Sequence, residues 1–146
     1  MTKPLLNEIR IEFKSVGENV GLSRILVAAL ASQLDLNVNE LEELKVAVSE
    51  AVSNAIIHGY GSRPDRKVSL AADLYPDEIH VTVADDGVGI EDIQKAMTPA
   101  YSTDPERMGL GFVFMQSFAD QVEVTSKPGE GTRVRLVKRI GKDGAD

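Results

Sequence analysis

The chain has no cysteine among its 146 residues. That excludes disulfides, thiolate metal sites and a cysteine nucleophile, and it suits a reducing cytosol. There is no excess of positive charge either: 16 basic against 23 acidic residues give a formal charge of −7. Nonspecific nucleic-acid binding depends on neutralising phosphates, so no direct nucleic-acid partner is expected. One small basic pocket for a nucleotide remains compatible with this balance. Long apolar runs are also missing. The longest, Ile25 to Ala31, is far too short to span a bilayer, and Met1 to Asn7 has no apolar core for a signal peptide. No membrane partner is expected, and the protein is expected to be soluble and cytoplasmic. The chain has no internal repeat and no low-complexity tract.

A hydrophobic fraction of 42% and a charged fraction of 27% are those of an ordinary globular protein. The length predicts a single domain over residues 1–146 with a core that needs no staples, ending in a disordered tail from about residue 141. Glu8 to Lys14 alternates, with Ile9, Ile11 and Phe13 on one face, and reads as a half-buried strand. Leu22 to Leu34 carries apolar residues at helical spacing. Asn39 followed by Glu42 reads as an N-cap with a capping-box partner, opening a second helix that Gly59 and Gly61 stop. Period-two alternation returns in Val68–Leu74 and Ile79–Val83, a hairpin turned at Pro76-Asp77. A short helical segment near Glu91 to Ala96, a buried helix over Leu110 to Phe118, and a hairpin of Val122–Ser126 with Thr132–Lys138 complete the pattern. Together these predict an α/β, two-layer α+β sandwich: a mostly antiparallel mixed sheet with helices on one face.

Within the second helix, Glu50, Asn54 and His58 follow at four-residue steps among apolar neighbours. On an α-helix those steps stack on one face. A carboxylate and an amide on a helix that otherwise looks buried are costly unless something satisfies them, and metal and phosphate chemistry would do so. Asp85-Asp86-Gly87-Val88-Gly89 follows a strand directly; Gly109-Leu110-Gly111 precedes an apolar helix; Gly129-Glu130-Gly131-Thr132 precedes the last strand. None is a Walker loop, because GxxxxGK[ST] occurs nowhere, and none fits the dinucleotide fingerprint. Each glycine pair alone reads more readily as a turn than as a ligand site.

Taken in order, ExxxNxxxH on a helix, DxGxG after a strand, GxG opening a helix and GxGT before a final strand resemble the GHKL ATP-binding superfamily. The resemblance spans roughly residues 8 to 138 and implies the Bergerat fold. Ser49 to Tyr60, with Glu18-Asn19, Ala28-Ala29 and Gln33-Leu34-Asp35, is most similar to the sporulation branch of the bacterial anti-sigma serine kinases. The general-stress branch shares the plan with a less similar helix.

The resemblance implies ATP or ADP and Mg²⁺ as cofactors. Asp85 would accept the adenine amine proton, with Gly87 and Gly89 allowing close backbone approach; the alternative is an ordinary Asp-Gly turn. Asn54 would ligate Mg²⁺ through its amide oxygen, or be satisfied within the core. Glu50 would be the general base, or a surface carboxylate paired with a basic residue. Gly109 and Gly111 would offer first-turn amides to phosphate. Arg107 either touches the terminal phosphate or is a solvated arginine of a lid over residues 97–108. Thr132 either reaches the adenine site or bonds along its strand. His58 either approaches ligand or sits at the helix end for the dipole alone. Arg24 is a candidate partner contact, or simply an exposed arginine. The implied partners are a sigma factor, an anti-anti-sigma protein as serine substrate, and a second copy in a homodimer, with the strand Glu8 to Lys14 as a candidate interface. Two other classes fit the motifs: the ATPase fragment of a sensor histidine kinase, for which the chain has no room for a phosphoacceptor hairpin, and a non-catalytic ATP-dependent binding module.

Overall fold

The computed structural model describes residues 3–97 and 108–141. Five strands form one sheet: β1 (Asn7–Lys14), β2 (Lys67–Tyr75), β3 (Glu78–Asp85), β4 (Gln121–Ser126) and β5 (Thr132–Arg139). Their order across the sheet is β1-β2-β3-β5-β4, and every described pairing is antiparallel, so the parallel component of the expected mixed sheet is not found. Alternation decides which face is buried. Val68, Leu70, Ala72 and Leu74 of β2, with Ile79, Val81 and Val83 of β3, turn inward, while the residues between them stay partly exposed.

The helices cover that inward face: α1 (Glu18–Ala31), α2 (Val38–Asn54), the short α3 (Ile93–Ala96) and α4 (Met108–Phe118). Val27, Leu30 and Ala31 of α1, Leu44, Val48 and Val52 of α2, and Phe112 and Met115 of α4 share one core with the strands. The two-layer sandwich is as the sequence pattern predicts. Helix α1 starts four residues before Leu22 and ends at Ala31; Leu34 still packs on the core from a tight turn in which its N–H reaches the Ala31 carbonyl.

The capping box of α2 lies two residues before the expected one. Asn37 Oδ1 accepts from the Glu40 N–H at 2.7 Å, and Glu40 Oε1 accepts from the Asn37 N–H at 2.9 Å. Asn39 is exposed, and Glu42 points outward to pair with Lys45 Nζ at 3.2 Å. The box therefore closes where its glutamate can be buried against the body of the protein, and Glu40 is 3% exposed.

Helix α2 does not end at Asn54 but widens into a π-helical turn, Ala55–Gly59. The Tyr60 N–H reaches the Ala55 carbonyl at 3.0 Å, and the Ser62 N–H reaches the Ile56 carbonyl at 2.8 Å. Gly61 (φ +60°) and Ser62 (φ 63°) then reverse the chain toward β2. Four-residue steps hold one face through Glu50 and Asn54, but the widened turn breaks that register before His58.

Candidate nucleotide site

Between α2 and the C-terminal end of β3 lies a small cleft. Its walls include Asn54, His58, Gly59, Asp85, Gly89 and Thr132, backed by Phe112, Val83 and Val134. An apolar hollow with a few convergent polar groups is the usual form of a small-molecule site.

Asp85 is the anchor at one end. It closes β3 opposite Thr132 of β5 and is only 8% exposed. Burial pushes its carboxyl up to about 6; the Gly87 N–H, at 2.9 Å from Oδ1, and the Thr132 N–H pull it back, while the neighbouring charge of Asp86 raises it further. Nothing cationic is among these influences, so a ligand N–H donor would find a carboxyl with acceptor capacity to spare.

Glycines let three backbone segments close around Asp85. A Cβ at Gly59 would lie 2.7 Å from the Asp85 carboxyl, and one at Gly131 (φ +75°) would lie 2.0 Å from the Asp85 carbonyl oxygen. A Cβ at Gly87 would lie 1.9 Å from the Gly59 carbonyl oxygen, and one at Gly89 (φ +76°) would lie 1.9 Å from that of Lys127. The close approach that these glycines permit is therefore made, in the protein itself, to other backbone. Two hydrogen bonds lock it: Val88 N–H to the Gly59 carbonyl at 3.0 Å, and Gly129 N–H to the Val88 carbonyl at 2.7 Å.

At the other end, α4 crosses the polar side of α2. A Cβ at Gly111 would stand 2.9 Å from Asn54 Nδ2, 3.0 Å from Asn54 Oδ1 and 3.2 Å from Glu50 Oε2. With no side chain at Gly111, the α4 backbone rests directly on both side chains. The Asn54 Nδ2 is buried with no partner among the described residues, and burial raises the Glu50 carboxyl above its usual range. An oxygen-rich group beside them would complete the amide, and the Asn54 amide oxygen is the hard kind of ligand that Mg²⁺ takes.

The structure thus brings Asn54, Asp85, Gly89 and Thr132 onto one cleft, seats Glu50 and Asn54 beneath Gly111, and packs Gly87 behind the wall. Gly109 lies in the first turn of α4. His58 lines the cleft from the π-helical turn. Arg24 is elsewhere, exposed on α1 and absent from the cleft wall. Arg107 and nearly all of the expected lid lie outside the described residues, as do residues 142–146 of the expected tail.

Two participants, Tyr60 and Ser126, were not among the expected site residues. The buried Tyr60 hydroxyl accepts from the Asp86 N–H at 2.7 Å and donates to the Lys67 carbonyl at 2.6 Å, tying the π-helical turn to the loop after β3. Ser126 Oγ meets Ile90, Gly131 and Thr132. Its place just before the Lys127–Gly131 turn was the only hint available.

Fold and site together define the class. The model of the histidine kinase-like ATPase domain matches residues 13–138, and the chain belongs to that family. Within it the chain is a member of the anti-sigma F factors. It is 46% identical over 138 residues to the anti-sigma F factor of Oceanobacillus iheyensis, covering 93% of this chain and 94% of that protein. It is 45% identical to that of Geobacillus kaustophilus over 95% of this chain and 97% of that one, and 44% identical to that of Clostridium novyi over 92% and 95%. Among solved structures, the RsbU and RsbW domains of a Mycobacterium tuberculosis protein superpose with a TM-score of 0.65 at 18% identity, over 91% of this chain and 32% of that one. A blue-light activated histidine kinase of Erythrobacter litoralis gives 0.57 at 21% identity, over 90% and 43%. At such identities the structural matches speak for the fold alone. No helix among the described residues is long and apolar enough to cross a membrane.

Proposed function

We propose that this chain is a cytoplasmic anti-sigma factor and protein serine kinase of sporulation. It holds a sigma factor inactive and phosphorylates a serine of an anti-anti-sigma partner with Mg-ATP. The observation that carries the reading is the seating of Gly111 on both Asn54 and Glu50, at the opposite end of the cleft from Asp85. Asp85 accepts the exocyclic amine of adenine. The first-turn amides of α4, at Gly109 and Gly111, face the phosphates, and Arg107 meets the terminal one.

Asn54 would hold Mg²⁺ through its amide oxygen. Mg²⁺ held there would supply positive charge to offset that of the phosphates. Glu50 receives the proton of the attacking serine hydroxyl as the new bond to the γ-phosphorus forms and the bridging β–γ bond breaks, leaving ADP. Its carboxyl, raised by burial, is a better base than a solvated one. The phosphoserine formed carries added negative charge, which disfavours rebinding. Arg24, on the exposed side of α1, contacts the protein partners, and β1, an edge strand, pairs two copies into a homodimer.

The test has two parts. Pull-down from cytosol with ADP or ATP should recover proteins of sigma and anti-anti-sigma type; recovery of neither would favour a binding module without catalysis. In a Mg-ATP transfer assay, Glu50→Gln should abolish phosphate transfer while ADP still binds. Normal transfer by that variant would remove Glu50 from the mechanism.

A further inference from the structure

The Ser126 side chain sits at the junction of three segments that build the Asp85 end of the cleft. Its Oγ accepts from the Ile90 N–H at 2.8 Å, lies 2.8 Å from the Gly131 carbonyl oxygen, and lies 2.9 Å from Thr132 Oγ1. A carbonyl oxygen brings no proton. At 2.8 Å the hydrogen between Ser126 and Gly131 must come from Ser126, which has one to give. The proton between Ser126 and Thr132 is then that of Thr132. The Ser126 hydroxyl is thereby saturated, with one hydrogen bond donated and two accepted.

We infer that Ser126 is a positioning residue that fixes the polarity of the Thr132 hydroxyl, leaving it only an acceptor toward the cleft. Thr132 and Asp85 are register partners on β5 and β3, and both line the cleft. Two acceptors side by side suit a group carrying two protons, an exocyclic amino group, and repel a carbonyl oxygen in the same place. Ser126 therefore contributes to the choice of a 6-amino over a 6-keto purine without touching the base. A site built to bond a given polar group rejects its unmatched analogue strongly.

The inference rests on the proposed nucleotide reading, and titration of the full chain with ADP and with inosine diphosphate by calorimetry separates the two. If wild-type protein fails to bind ADP, the nucleotide reading falls and takes the inference with it. If it binds ADP, Ser126→Ala frees the Thr132 proton, and the ratio of ADP to inosine diphosphate affinity should fall at least fivefold. Ser126→Thr should restore the ratio, and in a Thr132→Val background Ser126→Ala should change it no further. Ser126→Cys, close in volume and a weak hydrogen-bonding group, replaces the alanine variant if that does not fold. A merely structural role would weaken both nucleotides equally; an unchanged ratio in the folded variant overturns the inference.

Discussion

Replacing Asp85 by asparagine should make the protein more stable and a poorer binder of nucleotide. The carboxyl is 8% exposed, and burial raises it from an ordinary 3.8 to about 6. The folded chain thus holds this proton more tightly than the unfolded chain. The associated stability is complete below about pH 4, declines as pH rises from there to about 6, and is gone above that. The displacement is worth about 3 kcal/mol. Asparagine does not titrate, and its Oδ1 can still accept from the Gly87 N–H. It meets the Thr132 N–H less well than a carboxylate does, a loss of about 1 kcal/mol. The net gain at pH 8 is therefore about 2 kcal/mol, or roughly 4–8 °C in Tm for a chain of this size. At pH 4 the charge contribution is gone, and the variant should be the less stable by about 1 kcal/mol.

Thermal unfolding of both proteins by circular dichroism, from pH 4 to 8 and with or without millimolar ADP, reads all of this at once. ADP should raise the Tm of the wild type by mass action but move the variant far less, because a charge-assisted acceptor has become a neutral one. A variant no more stable than wild type at pH 8, or an advantage that does not change with pH, would refute the reasoning about the buried charge.

Gly131→Ala forces a side chain at φ +75° into the Asp85 carbonyl, and urea unfolding should show a loss of about 2–4 kcal/mol. Gly111→Ala gains helix propensity, about 1 kcal/mol, yet drives a methyl against Asn54 and Glu50. Phosphate transfer should drop by roughly two orders of magnitude while ADP affinity stays within about threefold, since a small misplacement harms the chemistry more than the base site. Arg24→Ala should leave nucleotide binding unaltered and weaken sigma-factor capture in a surface-binding assay by about tenfold; equal capture would remove Arg24 from the interface.

Much of this architecture was legible because period two and period 3.6 separate cleanly here. The β2–β3 hairpin could be read from Val68 to Val83, since its inward residues are apolar and the alternating positions mostly are not. The residues of the cleft were legible by order, as Asn54, Asp85 and Thr132 stand in motifs whose sequence is informative even where each motif is weak. Three things were not. Asn37 and Asn39 both precede a glutamate by three, and only burial of Glu40 chooses between the two boxes. The π-helical turn leaves no mark in composition, so His58 seemed to share the face of Glu50 and Asn54. Ser126 looks like any serine at a strand end, because its importance lies in joining the Ile90 amide to Gly131 and Thr132 across the turn.

The widened turn has a consequence for chain length. A run from Val38 to Gly59 in pure α geometry would need one residue fewer to cover the same turns. Deleting a residue between Ala55 and His58 would give a more regular helix. It would also swing the Gly59 carbonyl away from the Val88 N–H, which it now meets at 3.0 Å, and Tyr60 away from Asp86. The surplus residue acts as a spacer, setting where the helix hands the chain over to the loop after β3. Tolerance to insertion and deletion should therefore be lowest at a place where the sequence itself, Ala55-Ile56-Ile57, looks least remarkable.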